Sequence, residues 1–189
     1  MTRYRHRLLP LVLLWGVTAC SGESTVPVEA GANERLAADQ IIYGMTHQVT
    51  RDGVREATLR ADTAFFKESQ NRADLVGVNL EFYDVNGQPS GRLTSRTGEY
   101  AFRAGSMIAR GNVILDVNAN GRQRRIETEE LHYDLESDRI WSDLPTTSRE
   151  GSTVYRGTSF ESDAKFENVQ IKGASTSGGI RTGSSETSF

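Results

Sequence analysis

Residues 76–87 read VGVNLEFYDVNG, and this stretch carries two signals that decide the fold. Four apolar residues alternate with four others: Val76, Val78, Leu80 and Phe82 with Gly77, Asn79, Glu81 and Tyr83. Alternation with a period of two places one face of a β-strand on a core and the other in water. Asn86-Gly87 then supplies residues that tolerate the positive φ of a hairpin turn. The stretch therefore predicts a strand followed by a tight turn.

The same two signals recur along the chain. Val113, Leu115 and Val117 alternate with Asn112, Ile114 and Asp116. Further turn signals are Asp52-Gly53, Arg110-Gly111-Asn112, Asn120-Gly121 and Glu150-Gly151. No segment has the 3.6-residue period of a long amphipathic helix. The sequence predicts an all-β domain of antiparallel strands.

A weak internal repeat accompanies the strands. Three apolar pairs are each seven residues apart, and successive pairs lie 34 and 33 residues on: Leu59 with Phe66, Leu93 with Tyr100, and Ile126 with Tyr133. A second apolar strand follows each pair, led by Val78, Val113 and Ile140. Repeated strand pairs with unpaired apolar faces predict a sheet built by addition of similar units.

The first nineteen residues form a different kind of segment. Arg3, Arg5 and Arg7 precede an apolar run at residues 8–17, which is too short to span a bilayer but is typical of a secretory signal. The segment leads into Val17-Thr18-Ala19-Cys20, which resembles the lipobox of bacterial lipoproteins. We interpret residues 1–19 as a lipoprotein signal peptide and Cys20 as the lipidation site that anchors the chain to a membrane.

Cysteine usage and charge exclude several function classes. Cys20 is the one cysteine among 189 residues, so lipidation leaves no thiol for a disulfide, a metal or catalysis. Three of the 22 basic residues leave with the signal and none of the 25 acidic ones, which gives the mature chain a net charge near −6. That balance is not typical of a nucleic-acid-binding protein.

Composition also predicts the domain boundaries. Residues 20–38 comprise Cys20 and a small, polar stretch typical of a flexible tether, and residues 39–173 contain the strand signals. Residues 174–189 are rich in Gly, Ser and Thr and are predicted to be a disordered tail.

Residues 116–127 match the calcium-loop pattern D-x-[DN]-x-[DN]-G-x₅-E. An EF-hand loop needs a helix on either side, whereas strands flank this segment. The earlier turn at Asp84-Val85-Asn86-Gly87 begins with the same DVN and lacks the later ligands. The pattern therefore indicates a hairpin turn, and no metal site or cofactor is predicted.

Residues capable of catalysis show no arrangement that indicates a reaction. His47 and His132 lie 85 residues apart without ligand spacing around them and are predicted to be exposed strand residues. Acidic pairs such as Glu129-Glu130, or Glu161 and Asp163, are what a sugar-active enzyme would require, but Glu161 and Asp163 alternate with Ser162 as solvated strand residues do. We predict that the protein is not an enzyme.

Four segments together carry a resemblance to a known family. They are SRTGEY at residues 95–100, ARGNVIL at 109–115, RRIETEE at 124–130 and YRGTSFESD at 155–163. In this order, within residues 41–173, they resemble the periplasmic bridge components of lipopolysaccharide export, the LptC/OstA-like family. One domain between an anchor and a short tail favours the LptC branch. Better-known members carry an N-terminal transmembrane helix, and here a lipobox stands in that place.

The resemblance implies a fold, a function and partners. The fold would be a twisted antiparallel β-jellyroll, open at both ends. Lipopolysaccharide acyl chains would lie in its apolar groove and cross the periplasm along a strand-paired bridge. The partners would be lipopolysaccharide, an inner-membrane ABC transporter and a further periplasmic β-jellyroll protein. The family role implies an inner-membrane anchor, whereas Ser21 after the cysteine favours outer-membrane sorting in many bacteria.

The candidate site residues follow from the alternation. The lipid-groove candidates are the large inward residues Leu59, Phe66, Val78, Leu80, Phe82, Tyr100, Phe102, Val113, Leu115, Ile126, Tyr133, Ile140, Phe160 and Val169. Gly53 and Gly157 align with family glycines and are candidates for assembly contacts, or for a turn and a close backbone approach. Two alternatives stay open: a lipid-anchored jellyroll scaffold with a filled core, and a sugar-active enzyme.

Overall fold

The structure is a computed structural model that describes residues 38–119 and 121–177. These ranges contain twelve β-strands and a single 3₁₀ turn at Glu68–Gln70, which confirms the all-β prediction. The strands are β1 (Gln40–Arg51), β2 (Val54–Lys67), β3 (Arg72–Tyr83), β4 (Pro89–Ala101), β5 (Ser106–Ala119), β6 (Arg122–Asp134), β7 (Arg139–Ser142), β8 (Thr146–Glu150), β9 (Thr153–Gly157), β10 (Ser159–Asp163), β11 (Gln170–Lys172) and β12 (Ser175–Ser177). No helix in the described part of the chain has the length and apolar character needed to cross a bilayer.

All twelve strands belong to one antiparallel sheet that does not close. β1 to β6 follow one another as neighbours, and the sheet then divides. One half of β6 pairs with β7, which continues to β10 and β11, and the other half pairs with β8, which continues to β9 and β12. Among the described strands β1 pairs with β2 alone, so it forms a free edge. This open antiparallel sheet is the jellyroll-like architecture that the sequence predicted.

Most of the turn signals lie where the sequence predicted turns. Asp52 and Gly53 connect β1 to β2 with φ of 51° and 80°, the positive values that a type I′ hairpin requires. Gly87 and Gly151 also have positive φ, in the β3–β4 and β8–β9 connections. Asn120, between β5 and β6, lies outside the described residues. These turns confirm the hairpin prediction from residues 76–87.

Arg110-Gly111-Asn112 is not a turn, and this prediction is wrong. The three residues lie inside β5, where the pairing register shifts against both β4 and β6. Gly111 and Asn112 have positive φ, 77° and 51°, and form a bulge. Residues that tolerate positive φ serve bulges and turns equally, so sequence alone did not distinguish the two.

The inward face changes parity once along β1, β2, β3, β4 and β6, whereas in β5 the extra residue of the bulge keeps Met107, Ala109, Val113 and Leu115 on one parity. In β3 the buried residues Leu75 and Val78 are three apart, and Val76 between them is 41% exposed, contrary to the predicted alternation from Val76. The change occurs along one line of successively paired residues, which we call the switch row: Tyr43, Thr63, Val76, Thr97, Arg110 and Glu130. Because each change falls beside this row, or is taken up by the β5 bulge, neighbouring strands face inward with the same paired residues on both sides of the row.

The switch row explains the seven-residue repeat. Seven is an odd number, so the two members of each pair would face opposite sides of an uninterrupted strand. With one change of parity between them, both face inward. Two inward rows of paired residues result. The leucine row is Leu59, Leu80, Leu93, Leu115 and Ile126, and the second row is Phe66, Ala73, Tyr100, Met107, Tyr133 and Ile140.

The sheet extends past residue 173, the predicted end of the domain. β12, at Ser175–Ser177, pairs with β9. Residues 1–37 and 178–189 lie outside the described residues, and with them the predicted signal peptide, Cys20, Ser21 and most of the predicted tail.

Candidate functional site

The inner face of the sheet collects all the predicted groove residues. Eleven are buried in one apolar core: Leu59, Val78, Leu80, Phe82, Tyr100, Val113, Leu115, Ile126, Tyr133, Ile140 and Phe160. The other three, Phe66, Phe102 and Val169, are partly buried and pack against that core. The alternation thus identified inward residues on both sides of the switch row.

Side chains fill this interior. The five members of the leucine row are 0–1% exposed, so they pack against apolar neighbours and do not line an open channel. A hydrocarbon guest would have to displace side chains or separate the two walls of the rolled sheet. The sequence left such a filled core open as an alternative to an open groove.

One wall of the interior carries small hydroxyl residues. They lie on β6, β7, β8 and β10 and are Thr128, Ser142, Thr146, Ser148 and Ser162. The Thr128 and Ser142 hydroxyls lie 3.0 Å apart, and the Thr146 hydroxyl donates to the Leu144 carbonyl at 3.0 Å. Most of these groups are satisfied locally, as buried polar groups must be. Their small size lets the facing apolar wall approach closely.

One aromatic cluster lies inside near β1. Phe66 stacks on Phe102 with centroids 5.4 Å apart, and the Tyr100 ring meets Phe102 edge-on. His47 joins them, with its Nε2 3.3 Å from the Tyr100 hydroxyl, so the prediction of an exposed His47 is wrong. Burial lowers the pKa of His47, which favours the neutral imidazole. The histidine points inward because it pairs with Leu59 at the end of the leucine row.

A second cluster contains a residue that the sequence analysis missed. Phe82 meets Tyr133 and Phe166 edge-on, with centroids 5.4 Å and 5.3 Å apart. Phe166 is 3% exposed and lies in the loop between β10 and β11. It belongs to no alternating segment, so period-two reasoning had no means of detecting it.

A cavity of about 610 Å³ opens beside this second cluster. Its walls combine Phe82 and Tyr133 with charged residues of both signs, including Arg55, Glu56 and Lys165. Burial raises the pKa of the Glu56 carboxyl, and burial likewise raises the pKa of the Tyr133 hydroxyl. The volume is within the range of small-molecule sites.

Charged residues form a chain of ion pairs on the outer face. Arg72 contacts Glu99 at 3.0 Å, Glu99 contacts Arg110, and Arg110 contacts Glu130 at 2.6 Å. Glu130 also accepts a hydrogen bond from His132 at 2.8 Å if that ring nitrogen is protonated. This network joins β3, β4, β5 and β6. It engages Glu130, one of the carboxylates that a sugar-active enzyme would need for catalysis.

The other candidate carboxylates are also engaged. Arg125 donates two hydrogen bonds to Asp116 at 2.7 and 2.8 Å, and Arg149 contacts Glu127 at 2.5 Å, so the first and last acidic residues of the calcium-like motif face arginines. Glu161 pairs with Arg139 at 2.8 Å. Within residues 38–119 and 121–177, no three His, Cys, Asp or Glu side chains are grouped to hold a metal ion.

The two candidate assembly glycines lie in different settings. Gly53 is the second central residue of the β1–β2 turn, and a Cβ there would meet open space. Gly157 ends β9 where a Cβ would lie 2.3 Å from Ile171 Cγ2 and 2.6 Å from the Lys172 carbonyl oxygen. Gly157 therefore permits close approach of β9 to β11.

Comparison with known proteins places this fold in a family. Residues 11–178 match the family described as lipopolysaccharide-assembly, LptC-related. Among solved structures, this chain is similar to LptH of Pseudomonas aeruginosa, the LptA-homologous periplasmic component of its lipopolysaccharide transport device. The two share 17% sequence identity over 70% of this chain and 87% of that one, with a TM-score of 0.48. No curated protein matches the sequence. Because the family match covers nearly the whole chain, this protein belongs to the LptC-related family of lipopolysaccharide assembly.

Proposed function

We propose that this domain binds the acyl chains of lipopolysaccharide between its two inward rows and passes them across the periplasm. It would act as one unit of a strand-paired bridge between an inner-membrane ABC transporter and the outer membrane. The observation that carries the proposal is an unclosed sheet whose inner face presents two continuous apolar rows, in a chain of the LptC-related family. The role requires no chemical step by the protein.

Acyl chains need an apolar interior of this kind to cross the periplasm. Each methylene group exposed to water costs about 0.8 kcal/mol, so a glycolipid with several acyl chains does not cross an aqueous compartment unaided. An unclosed sheet can shelter the chains while sugars and phosphates stay in water. The leucine row runs across five neighbouring strands and supplies apolar contact over that distance.

The free edge of β1 supports assembly by strand pairing. β1 spans twelve residues, QIIYGMTHQVTR, without a proline or lysine that would guard an exposed edge. An unguarded edge of this length is suited to adding a strand from another sheet. We infer that the further β-jellyroll protein of the bridge, or the transporter's own periplasmic domain, pairs here.

The anchor completes the proposal. Cys20 would carry the lipid that holds the domain at a membrane, with residues 21–38 as the tether. Mass spectrometry of the mature N-terminus tests this, because a mature lipoprotein would begin at Cys20 and carry the added mass of the diacyl group on that residue. A mature chain that retains residues 1–19 would contradict a lipoprotein anchor.

Lipid binding is tested by photo-crosslinking in cells that make ATP. A photo-reactive amino acid at Tyr133 or Phe160 should capture lipopolysaccharide, since both side chains are buried in the interior. The adjacent outward positions His132 and Glu161 are matched controls and should not capture it. If the folded protein captures no lipopolysaccharide from either interior position, transport by this domain is wrong.

A scaffold without lipid cargo is the second candidate, and the filled interior favours it. Leu59, Leu115 and Ile126 are fully buried by other side chains, as in a closed core. In that case Tyr133 and Phe160 would give no lipid adduct, while photo-reactive residues at the exposed β1 positions Thr46 and Gln48 would still capture a protein partner. The two functions therefore give different patterns in the same experiment.

A further inference from the structure

Phe166 has an unfavourable backbone conformation for an aromatic residue. Its φ is +60°, in the left-handed region that glycine and asparagine adopt far more readily. The side chain is nevertheless 3% exposed. Strain of this kind persists only where surrounding contacts hold it, and it is found at clamps and switches.

Hydrogen bonds to the Asp163 carboxylate hold the loop that carries Phe166. Asp163 accepts hydrogen bonds from the backbone N–H groups of Glu167 at 2.9 Å and Asn168 at 3.1 Å, and from the Asn168 side-chain amide at 2.7 Å. The Phe166 N–H donates to the Asp163 carbonyl at 3.1 Å. The loop is therefore a small unit tied to the end of β10, and Phe166 itself takes no part in the pairing of β10 with β7 or β11.

The ring fills a space that the sheet leaves for it. It meets Phe82 edge-on at 5.3 Å, and it lies over Gly91 of β4. A Cβ at Gly91 would be 2.8 Å from Phe166 Cε2 and 3.3 Å from Val117 Cγ1. Phe82, Gly91 and Val117 are successively paired and form an inward row next to the leucine row. The ring thus occupies an apolar site made by the sheet itself.

The same loop walls the cavity of about 610 Å³. Ala164, Lys165 and Glu167 line it on one side, and Phe82 and Tyr133 line it on the other. Phe82 is shared by the cavity and by the site that the ring fills. Moving Phe166 outward would join the cavity to the apolar interior.

We propose that the space held by the Phe166 ring is a binding subsite for a hydrocarbon chain, and that an entering chain expels the ring. Phe166 is a displaceable plug that takes the place of the chain in the empty protein. The inference rests on the proposed function, because it requires a lipid guest. It explains how a filled interior admits one: strain at Phe166 offsets part of the energy gained by burying the ring, so this loop opens before the leucine row separates.

A tryptophan in place of the plug reports its position. The variant Phe166→Trp is made in a chain whose own tryptophans are replaced, Trp15→Phe and Trp141→Phe, so that emission comes from residue 166 alone. Purified lipopolysaccharide is the probe. Emission should shift to longer wavelength and acrylamide quenching should increase as lipopolysaccharide is added, because the indole moves into water.

Cross-linking from position 133 in the same chain separates the possible failures. Capture of lipopolysaccharide with unchanged emission from residue 166 would overturn the plug and leave the proposed function standing. Absence of capture with a folded protein would overturn both. Capture together with red-shifted emission supports both.

A second set of variants tests the plug without a tryptophan. Asp163→Ala removes the hydrogen bonds that hold the loop, and Phe166→Leu shortens the plug. Each variant should raise the initial rate of lipopolysaccharide capture at position 133 by about threefold or more, because a larger fraction of the molecules has the subsite open. Val85→Ala is the control, because Val85 is 77% exposed on the rim of the same cavity. Equal rates in the Asp163 variant, the Phe166 variant and the wild type would overturn the proposal.

Discussion

At the scale of single residues, the switch row depends on a glycine that no other residue replaces well. Gly77 has φ of +66°, and a Cβ on it would lie 2.0 Å from Asp62 Oδ2 and 2.5 Å from Asp62 Cγ. Asp62 lies opposite in β2, at the point where that strand also changes parity. Gly77 is thus required twice, for its backbone conformation and for the space above it.

We expect Gly77→Ala to lower the free energy of unfolding by roughly 2–4 kcal/mol, since strain and the collision with Asp62 add. Gly87→Ala is the matched control: Gly87 has φ of +75° in a turn where a Cβ meets open space. The Gly87→Ala variant should lose only about 1 kcal/mol of unfolding free energy. Urea denaturation measures both.

The double variant Asp62→Ala with Gly77→Ala separates the two contributions. Removing the carboxylate relieves the collision, so the double variant should be more stable than Gly77→Ala and close to Gly87→Ala. If Asp62→Ala gives no recovery, the close approach is not what makes alanine unfavourable at position 77.

At the scale of strands, the leucine row joins five neighbouring strands across the buried face of the sheet. Leu93 lies in its centre, paired with Leu80 on one side and Leu115 on the other, and is 1% exposed. We expect Leu93→Ala to destabilise the domain by about 2–5 kcal/mol, the usual result of a cavity in a packed core. Val76→Ala, at a 41% exposed strand position, should change stability by under about 0.5 kcal/mol. Similar losses in both variants would contradict the assignment of faces.

The outer ion pairs join the same strands and should make stability depend on pH. Burial alone would raise the pKa of Glu130, but hydrogen bonds from Arg110 and His132 outweigh burial and hold this pKa below its ordinary value. A carboxyl with a lowered pKa in the folded state stabilises the fold above its unfolded pKa and loses that contribution as pH falls through the folded value. Glu130→Gln should therefore lower the urea midpoint at pH 7.

The difference between Glu130→Gln and wild type should shrink as the pH falls below the unfolded pKa of a glutamate and through the lowered folded pKa of Glu130, because the wild-type carboxyl then becomes neutral as well. Glu136→Gln is the matched control, since it replaces an exposed carboxyl in the β6–β7 turn, and it should leave the urea midpoint at pH 7 unchanged. A Glu130→Gln difference that stays constant from pH 7 to pH 3 would show that the carboxylate charge is not what stabilises these strands.

The strands also show what sequence reasoning could and could not predict. Alternation identified inward residues such as Leu80 and Leu115, because each uninterrupted half-strand keeps its period. The turn predicted at residues 110–112 failed, because Gly111 and Asn112 give the same local signal in a bulge as in a turn. The prediction that Val76 faces inward was wrong for a related reason. The change of parity lies beside Val76 and depends on the paired strands, which a local pattern does not encode.

The site was harder to predict than the fold. Burial of Phe160 and Tyr133 follows from their strands, but closure of the interior depends on how the two walls meet. Phe166 reaches the core from a loop, and its role depends on the missing side chain of Gly91, which is 75 positions away in the sequence. Contacts of that range belong to the folded chain and have no counterpart in a local period.

At the scale of the whole molecule, the unclosed sheet leaves β1 as the longest described strand with a free edge. Among the strands that the structure describes, β1 pairs with β2 alone, and its last residue, Arg51, reaches the turn after β6, where its guanidinium donates a hydrogen bond to the Leu135 carbonyl. Arg51 also contacts Glu56 at 3.2 Å. One side chain therefore joins the free edge of the sheet to the far side of the roll.

We expect Arg51→Ala to release the end of β1 without unfolding the domain. Hydrogen exchange at the amides of residues 45–51 should become faster, because a strand paired on one side opens locally at low free energy. Exchange in β4, which has a neighbour on each side, should stay unchanged. Arg51→Lys keeps the charge but not the planar donor geometry, so it should show a smaller increase. Faster exchange throughout the sheet would mean that Arg51 stabilises the whole fold, and it would contradict a local release of β1.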